Sequence, residues 1–360
     1  MILTKFSPTR LLGIAFAFLQ RFQQRRIRTF SILFAVGLGL TLALSACSPS
    51  ASNNSGTPQT ASSTPAASGT TVRIGYQKAS TVLYALKARG ELEKTFAASG
   101  SSVTWSEFPA GPPLLEALNA GSIDFGYTGE SPPIFAQAAG IPLVYVAYDP
   151  WSPKAEAILV PKDSPIKNVA ELKGKKVAFA KGSNANYLLV KALEKAGVQY
   201  SDIQRVTLTP ADARAVFERK NVDAWAIWDP YLAAAEAATG ARTLADATGL
   251  APNHGYYLAA KSFVNANPDA LKIVLDGVKK VSDWAKNNPS EVAKFLSPAL
   301  GIDAPVLEIA EKRREYDVLP LTDEVITKQQ EVADTFYKIK LIPKEIKVKE
   351  IVWQGKVNNS

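Results

Sequence analysis

The feature that most constrains this chain is an order of parts that occurs twice. From Val72 onward, apolar strand-like runs alternate with amphipathic helical stretches. The strand candidates are Val72–Tyr76, Val103–Phe108, Ile123–Tyr127, Leu143–Tyr148, Ala157–Val160, Val177–Ala180, Arg205–Leu208, Val222–Trp228 and Tyr256–Ala260. Helical patterns such as Leu114–Ala120 and Ala185–Ala196 fill most gaps, which is the signature of α/β layers. The pattern returns about 100 residues later. Val72–Ser80 is echoed by Val177–Ser183, each a strand, a polar turn and a helix carrying Tyr84 or Tyr187. Pro109-Ala110 is echoed by Pro210-Ala211, Ser122-Ile-Asp124 by Asn221-Val-Asp223, and Thr128–Pro132 by Ile227–Pro230. A length of 360 residues suits two such lobes.

The duplication has a chemical consequence. In each lobe two helices begin just past the C-terminal ends of strands, where open α/β sheets bind ligands. The four starts fall near Ser80, Glu130, Ser183 and Asp229, and Pro132 and Pro230 suit the first turns of two of them. Facing lobes bring the four starts into one cleft, where unpaired N–H groups and positive dipole ends suit an anion. Ser80, Thr128 and Ser183 add hydroxyls; Gln77 and Asn184 add amides. The competing reading of each residue is an ordinary helix cap. Glu130 and Asp229 repel an anion, so they either cap their helices or take the cationic group of a zwitterion. Most of the nearby aromatics are expected in the core, with one or two walling an apolar part of the ligand.

Rare residues exclude other chemistry. There is one cysteine, Cys47, and one histidine, His254. One Cys forms no internal disulfide, the several His or Cys ligands of a transition-metal site are missing, and a catalytic pair has only His254 to build on. His254 reads as a loop or cleft-edge residue. No metal, cofactor or enzymatic turnover is expected. Lys and Arg exceed Asp and Glu by 41 to 33, but six of the basic residues lie in 1–46, which hold no acid. The remainder is nearly neutral, which speaks against nucleic acid as a partner.

The N-terminus reads as an export signal. Arg25, Arg26 and Arg28 precede the apolar run Phe30–Leu44, which ends in Leu44-Ser45-Ala46-Cys47. That ending resembles a bacterial lipobox, whose Cys takes lipid and becomes the new N-terminus. Arg28 stands where a twin-arginine signal has an apolar residue, which favours the general secretory route. Residues 48–70 hold nothing charged, aromatic or large and aliphatic, and such a segment does not fold. As a flexible chain it spans roughly 25–30 Å, a tether. The expected organisation is a signal over 1–46 and a lipidated Cys47 with tether over 47–70. The body then follows, on the periplasmic side of the bacterial inner membrane.

Several stretches resemble the aliphatic-sulfonate-binding proteins of ABC importers, relatives of the taurine- and nitrate-binding proteins. They include Ile74–Lys78, Phe108–Leu118, Asp124–Gly129, Pro132–Gln137, Pro153–Pro161, Gly174–Gly182, Pro210–Arg214 and Trp228–Tyr231, and they span the body from 72 to about 340. The resemblance implies a two-lobed α/β periplasmic-binding-protein fold of the second type, with the ligand cleft between lobes. Crossings are placed near Pro161 and Gly255, giving lobe one as 71–161 plus 255–360 and lobe two as 162–254. It implies a monomer that hands a small organic sulfonate to a membrane permease. The cleft loops would be Gln77–Ser80, Thr128-Gly129-Glu130-Ser131, Ser183-Asn184 and Trp228-Asp229. Nitrate, bicarbonate or taurine are alternative ligands on the same fold. A thiamine-precursor-synthase-like enzyme or a receptor-docking sensor are the alternatives of other classes. Tyr148-Asp149-Pro150-Trp151 is bulkier than the resemblance leads one to expect and is placed to narrow the cleft.

The Leu-Ser-Ala-Cys ending yields a direct expectation. The mature protein starts at Cys47 and carries acyl groups there, visible by intact mass after bacterial expression. Cys47→Ser should abolish that mass increment and release the protein from membranes; an unchanged mass and membrane fraction would refute the anchor.

Overall fold

The computed structural model describes residues 69–78 and 80–355. The signal, Cys47 and nearly all of the tether lie outside them. Lobe one opens with β1 (Thr71–Gln77), α1 (Thr81–Arg89), α2 (Glu91–Ala97), β2 (Ser102–Phe108), α3 (Gly111–Asn119), β3 (Phe125–Gly129), α4 (Ser131–Ala138) and β4 (Leu143–Asp149). The chain then crosses to lobe two. There it forms β5 (Glu156–Val160), β6 (Lys176–Phe179), α5 (Asn184–Lys195), β7 (Gln204–Thr207), α6 (Pro210–Glu218), β8 (Ala224–Trp228), α7 (Tyr231–Thr239) and β9 (Arg242–Asp246). It returns as β10 (Gly255–Ala260), followed by α8 (Lys261–Ala266), α9 (Pro268–Asn287), α10 (Pro289–Leu300), α11 (Ala304–Lys312) and α12 (Asp323–Lys338).

The two sheets have one plan. Their strand orders are β2-β1-β3-β10-β4 and β7-β6-β8-β5-β9. In each, the fourth strand runs antiparallel to its neighbours and comes directly after a crossing. This corrects the expected boundary near Pro161. β5 pairs with β8 and β9, so the first crossing is Pro150–Ala155 and Ala157–Val160 belongs to lobe two. The run is fully buried, as a central strand should be. Local pattern shows that burial, but it does not show which sheet the strand joins. The second crossing ends at Gly255, where β10 begins. One strand, β9, was absent from the sequence expectation. It is a half-exposed sheet edge of mixed polarity, with none of the apolar run that marks the others.

The echo between Ser122-Ile-Asp124 and Asn221-Val-Asp223 has a structural cause. Asp124 accepts the Arg73 backbone N–H through Oδ2 (2.9 Å), and its own N–H donates to the Arg73 carbonyl (2.7 Å). Asp223 does the same with Lys176, at 2.7 and 2.8 Å. Each aspartate thus pins the start of one strand, β3 or β8, onto its parallel neighbour, β1 or β6. Asp124 also takes the Arg73 guanidinium. Asp124→Ala should lower stability by about 1–3 kcal/mol through loss of a charge-assisted bond to the backbone. Asp223→Ala should act in the same direction but less strongly, as thermal denaturation would show.

Candidate functional site

Three adjacent strand ends set the floor of the cleft. Gly129 of β3, Gly255 of β10 and Asp149 of β4 stand side by side in register. Gly255 must lack a side chain, because a Cβ there would lie 1.8 Å from the Tyr127 hydroxyl. Gly129 is equally constrained, since its Cβ would meet the Asn184 amide at 2.3 Å. That contact joins the lobes. Asn184 Oδ1 accepts the Ser131 N–H (3.1 Å), and Asn184 Nδ2 donates to Asn253 Oδ1 (2.8 Å). Asn253 in turn donates to the Ser152 carbonyl (2.8 Å). A polar chain therefore runs from lobe two through both crossings.

Between the lobes lies a cavity, open at its mouth to solvent. Of the residues singled out by sequence, Gln77, Ser80, Gly129, Ser183, Asn184 and Trp228 line it. Thr128, Glu130, Ser131 and Asp229 are fully buried and stand outside that lining. The strand alternation explains Thr128: its neighbours Tyr127 and Gly129 face the cavity, and its hydroxyl donates to the Gly129 carbonyl (2.9 Å).

The four helix starts are not equivalent. That of α4 is taken by Asn184, as above. Ser183 caps α5, accepting the Asn186 N–H and donating to the Ala180 carbonyl (2.6 Å). Asp229 accepts the Ala233 N–H inside α7 (3.0 Å), with Pro230 at the N-cap rather than in the first turn. Among the described residues α1 is the one of these four whose first-turn N–H groups meet no side-chain acceptor, with Ser80 at its N-cap lining the cavity. First-turn N–H groups left unpaired in this way favour an anion.

The sequence reading required no basic residue at the site, yet Arg314 lines the cavity. It follows α11, which packs on α7 and so carries the C-terminal arm back onto lobe two. Arg314 donates through Nη2 to the Asp229 carbonyl, while its Nε is buried without a partner among the described residues. Burial works against its charge. Tyr316, Glu311, Tyr127 and Asp229 outweigh that and hold its pKa above the ordinary arginine value. Neighbouring Arg313 pairs with Glu236 at 2.6 Å. Nothing local in Lys312-Arg313-Arg314 separates these roles from a solvated helix end.

His254 also lines the cavity and is 1% exposed. Its Nδ1 lies 2.9 Å from the Asp149 carbonyl, which only accepts, so Nδ1 carries the proton and Nε2 is an acceptor. Burial lowers its pKa from 6.5 to about 4. A neutral ring with a lone pair inward does not hold an anion. Tyr148 and Trp151 stand edge-on to this ring, at 5.3 and 5.6 Å. Among the described residues, no group of three or more His, Cys, Asp or Glu is placed to hold a metal ion.

Two buried sheets of one plan, a cavity between them and an uncapped helix start beside an arginine describe a binding cleft. The NMT1/THI5-like family profile matches residues 96–292. The chain belongs to the NMT1/THI5-like family. Within the family, it is 46% identical to an Escherichia coli (strain K12) protein described as aliphatic sulfonates-binding, over 79% of this chain and 88% of that one. A Bacillus subtilis (strain 168) protein of the same description is 37% identical over 78% and 85%. The alkanesulfonate-binding protein SsuA from Xanthomonas axonopodis pv. citri, bound to MOPS, superposes with a TM-score of 0.76. It is 43% identical and is covered over 98% of its length and 79% of this one. The family likeness accounts for the two-lobed fold.

The buried carboxyls give the protein a pH dependence. Burial raises Glu130 from 4.5 to about 8, against the His254 and Asn253 backbone N–H groups that lower it. Burial likewise raises Asp149 from 3.8 to about 7 and Asp229 to about 6. A carboxyl raised on folding holds more protons folded than unfolded, so stability falls as pH rises through the folded value. His254 acts oppositely, but only between about 4 and 6.5. The melting midpoint should therefore fall from pH 6.5 to beyond 8. Glu130→Gln should flatten that fall, and a rising midpoint in the wild type would contradict the assignment.

Proposed function

We propose that this chain is an extracytoplasmic solute-binding protein, lipid-anchored at Cys47, that delivers a small organic sulfonate to the permease of an ABC importer. The observation that carries the reading is Arg314 with its unpartnered Nε, in one cavity with the uncapped start of α1. A sulfonate has three acceptor oxygens and one charge, and this pairing offers donors from a side chain and from the backbone. Trp228 gives the organic part an apolar wall, as ligand sites usually do.

The relatives support the same reading, being binding proteins rather than enzymes. A binding protein needs no general base, and His254 is neutral and tied to the Asp149 carbonyl. Two lobes joined by two crossings suit a protein that takes a ligand between them and hands it on.

Calorimetric titration tests the reading. One alkanesulfonate should bind per chain, and Arg314→Gln should weaken it by about 10- to 150-fold, the cost of one charge-assisted bond. Arg314→Gln with full affinity would contradict this placement of the anion.

A further inference from the structure

Arg314 reaches the cavity on an arm that is part of neither crossing. α11 packs on α10 at one side and on α7 at the other. The residues that follow it are fastened to lobe one, to a crossing and to lobe two. On lobe one, the buried Glu311 carboxyl accepts the Thr81 hydroxyl at the start of α1 (3.0 Å) and also the Tyr316 hydroxyl. On the first crossing, the Glu315 N–H donates to Ser152 Oγ (2.9 Å). On lobe two, Arg313 Nη2 pairs with Glu236 Oε2 of α7 at 2.6 Å, and Arg313 Nη1 lies 3.5 Å from Asp229 Oδ2.

Both arginines lean on Asp229, Arg313 on its carboxylate and Arg314 on its carbonyl. Arg314 itself is held to lobe two by that backbone bond, so its place at the cavity wall depends on what fixes the chain beside it. A long side chain that is already immobilised loses less freedom when it takes up a ligand. We propose that Arg313, clamped by Glu236, is a positioning residue for ligand binding: the pair holds the arm against lobe two and so keeps the Arg314 guanidinium at the cavity wall. The inference rests on the reading above, in which Arg314 receives a sulfonate. Charge alone and clamping predict opposite signs at Glu236. As an acid near a bound anion, its removal would tighten binding by relieving repulsion. As half of the clamp, its removal weakens binding.

The test is calorimetric titration of butane-1-sulfonate into the full-length protein. Glu236→Ala should weaken binding about two- to fivefold, the worth of a partly exposed ion pair. Arg313→Ala should weaken it at least as much, and the double variant about as much as Arg313→Ala alone, because the two residues act as one unit. Arg313→Lys keeps the charge pair and should restore most of the affinity. In an Arg314→Gln background, Arg313→Ala should cost nothing further, since the clamp acts through Arg314. Unchanged or tighter binding in a folded Glu236→Ala protein would overturn the inference, and so would a further loss from Arg313→Ala in the Arg314→Gln background. In those cases the sulfonate reading survives. If butane-1-sulfonate does not bind the wild type, the sulfonate reading fails and the inference fails with it.

Discussion

The structure depends on one topological constraint: the chain changes lobes twice, and each change inserts an antiparallel strand into the middle of the receiving sheet. β5 and β10 are completely buried, so neither can slip without exposing a central strand. The crossings are thereby held at both ends. Asp149, Ser152, Asn253 and His254 all sit on or beside them, and all of them line the cavity. The candidate site is built where the fold is least free to shift sideways.

The same place concentrates unfavourable electrostatics. Glu130, Glu156 and Asp149 are buried carboxyls, and both oxygens of Glu156 lack partners among the described residues. Burial drives the Glu156 pKa well above its ordinary value, and the Glu130 charge adds to this. Neutral carboxyls tolerate such a setting where ionised ones do not. Stability surrendered around a cleft is a common accompaniment of binding, because groups kept ready for a ligand are groups left unsatisfied without one.

Much of the fold was legible because its signals are local. Buried strands announce themselves as apolar runs, and the aspartates at 124 and 223 repeat because each makes the same two backbone bonds. The cavity lining was legible in part. Strand ends and helix starts led to Gln77, Ser80, Ser183, Asn184 and Trp228, all in the cavity wall. Thr128 illustrates the limit, since one step along a strand turns a hydroxyl away from the cleft. Arg314 illustrates another: it reaches the cavity only because α11 packs on α7, a tertiary fact that no short window of sequence contains. The placement of β5 failed for the same reason.

The central claim is that an anion binds between the lobes against Arg314 and the start of α1. A crystal structure of the protein with an alkanesulfonate tests it most directly. The account predicts the sulfonate oxygens within hydrogen-bond distance of Arg314 Nε and of first-turn N–H groups of α1, with the organic part toward Trp228. A sulfonate seated on other residues, or outside the cavity, would contradict it.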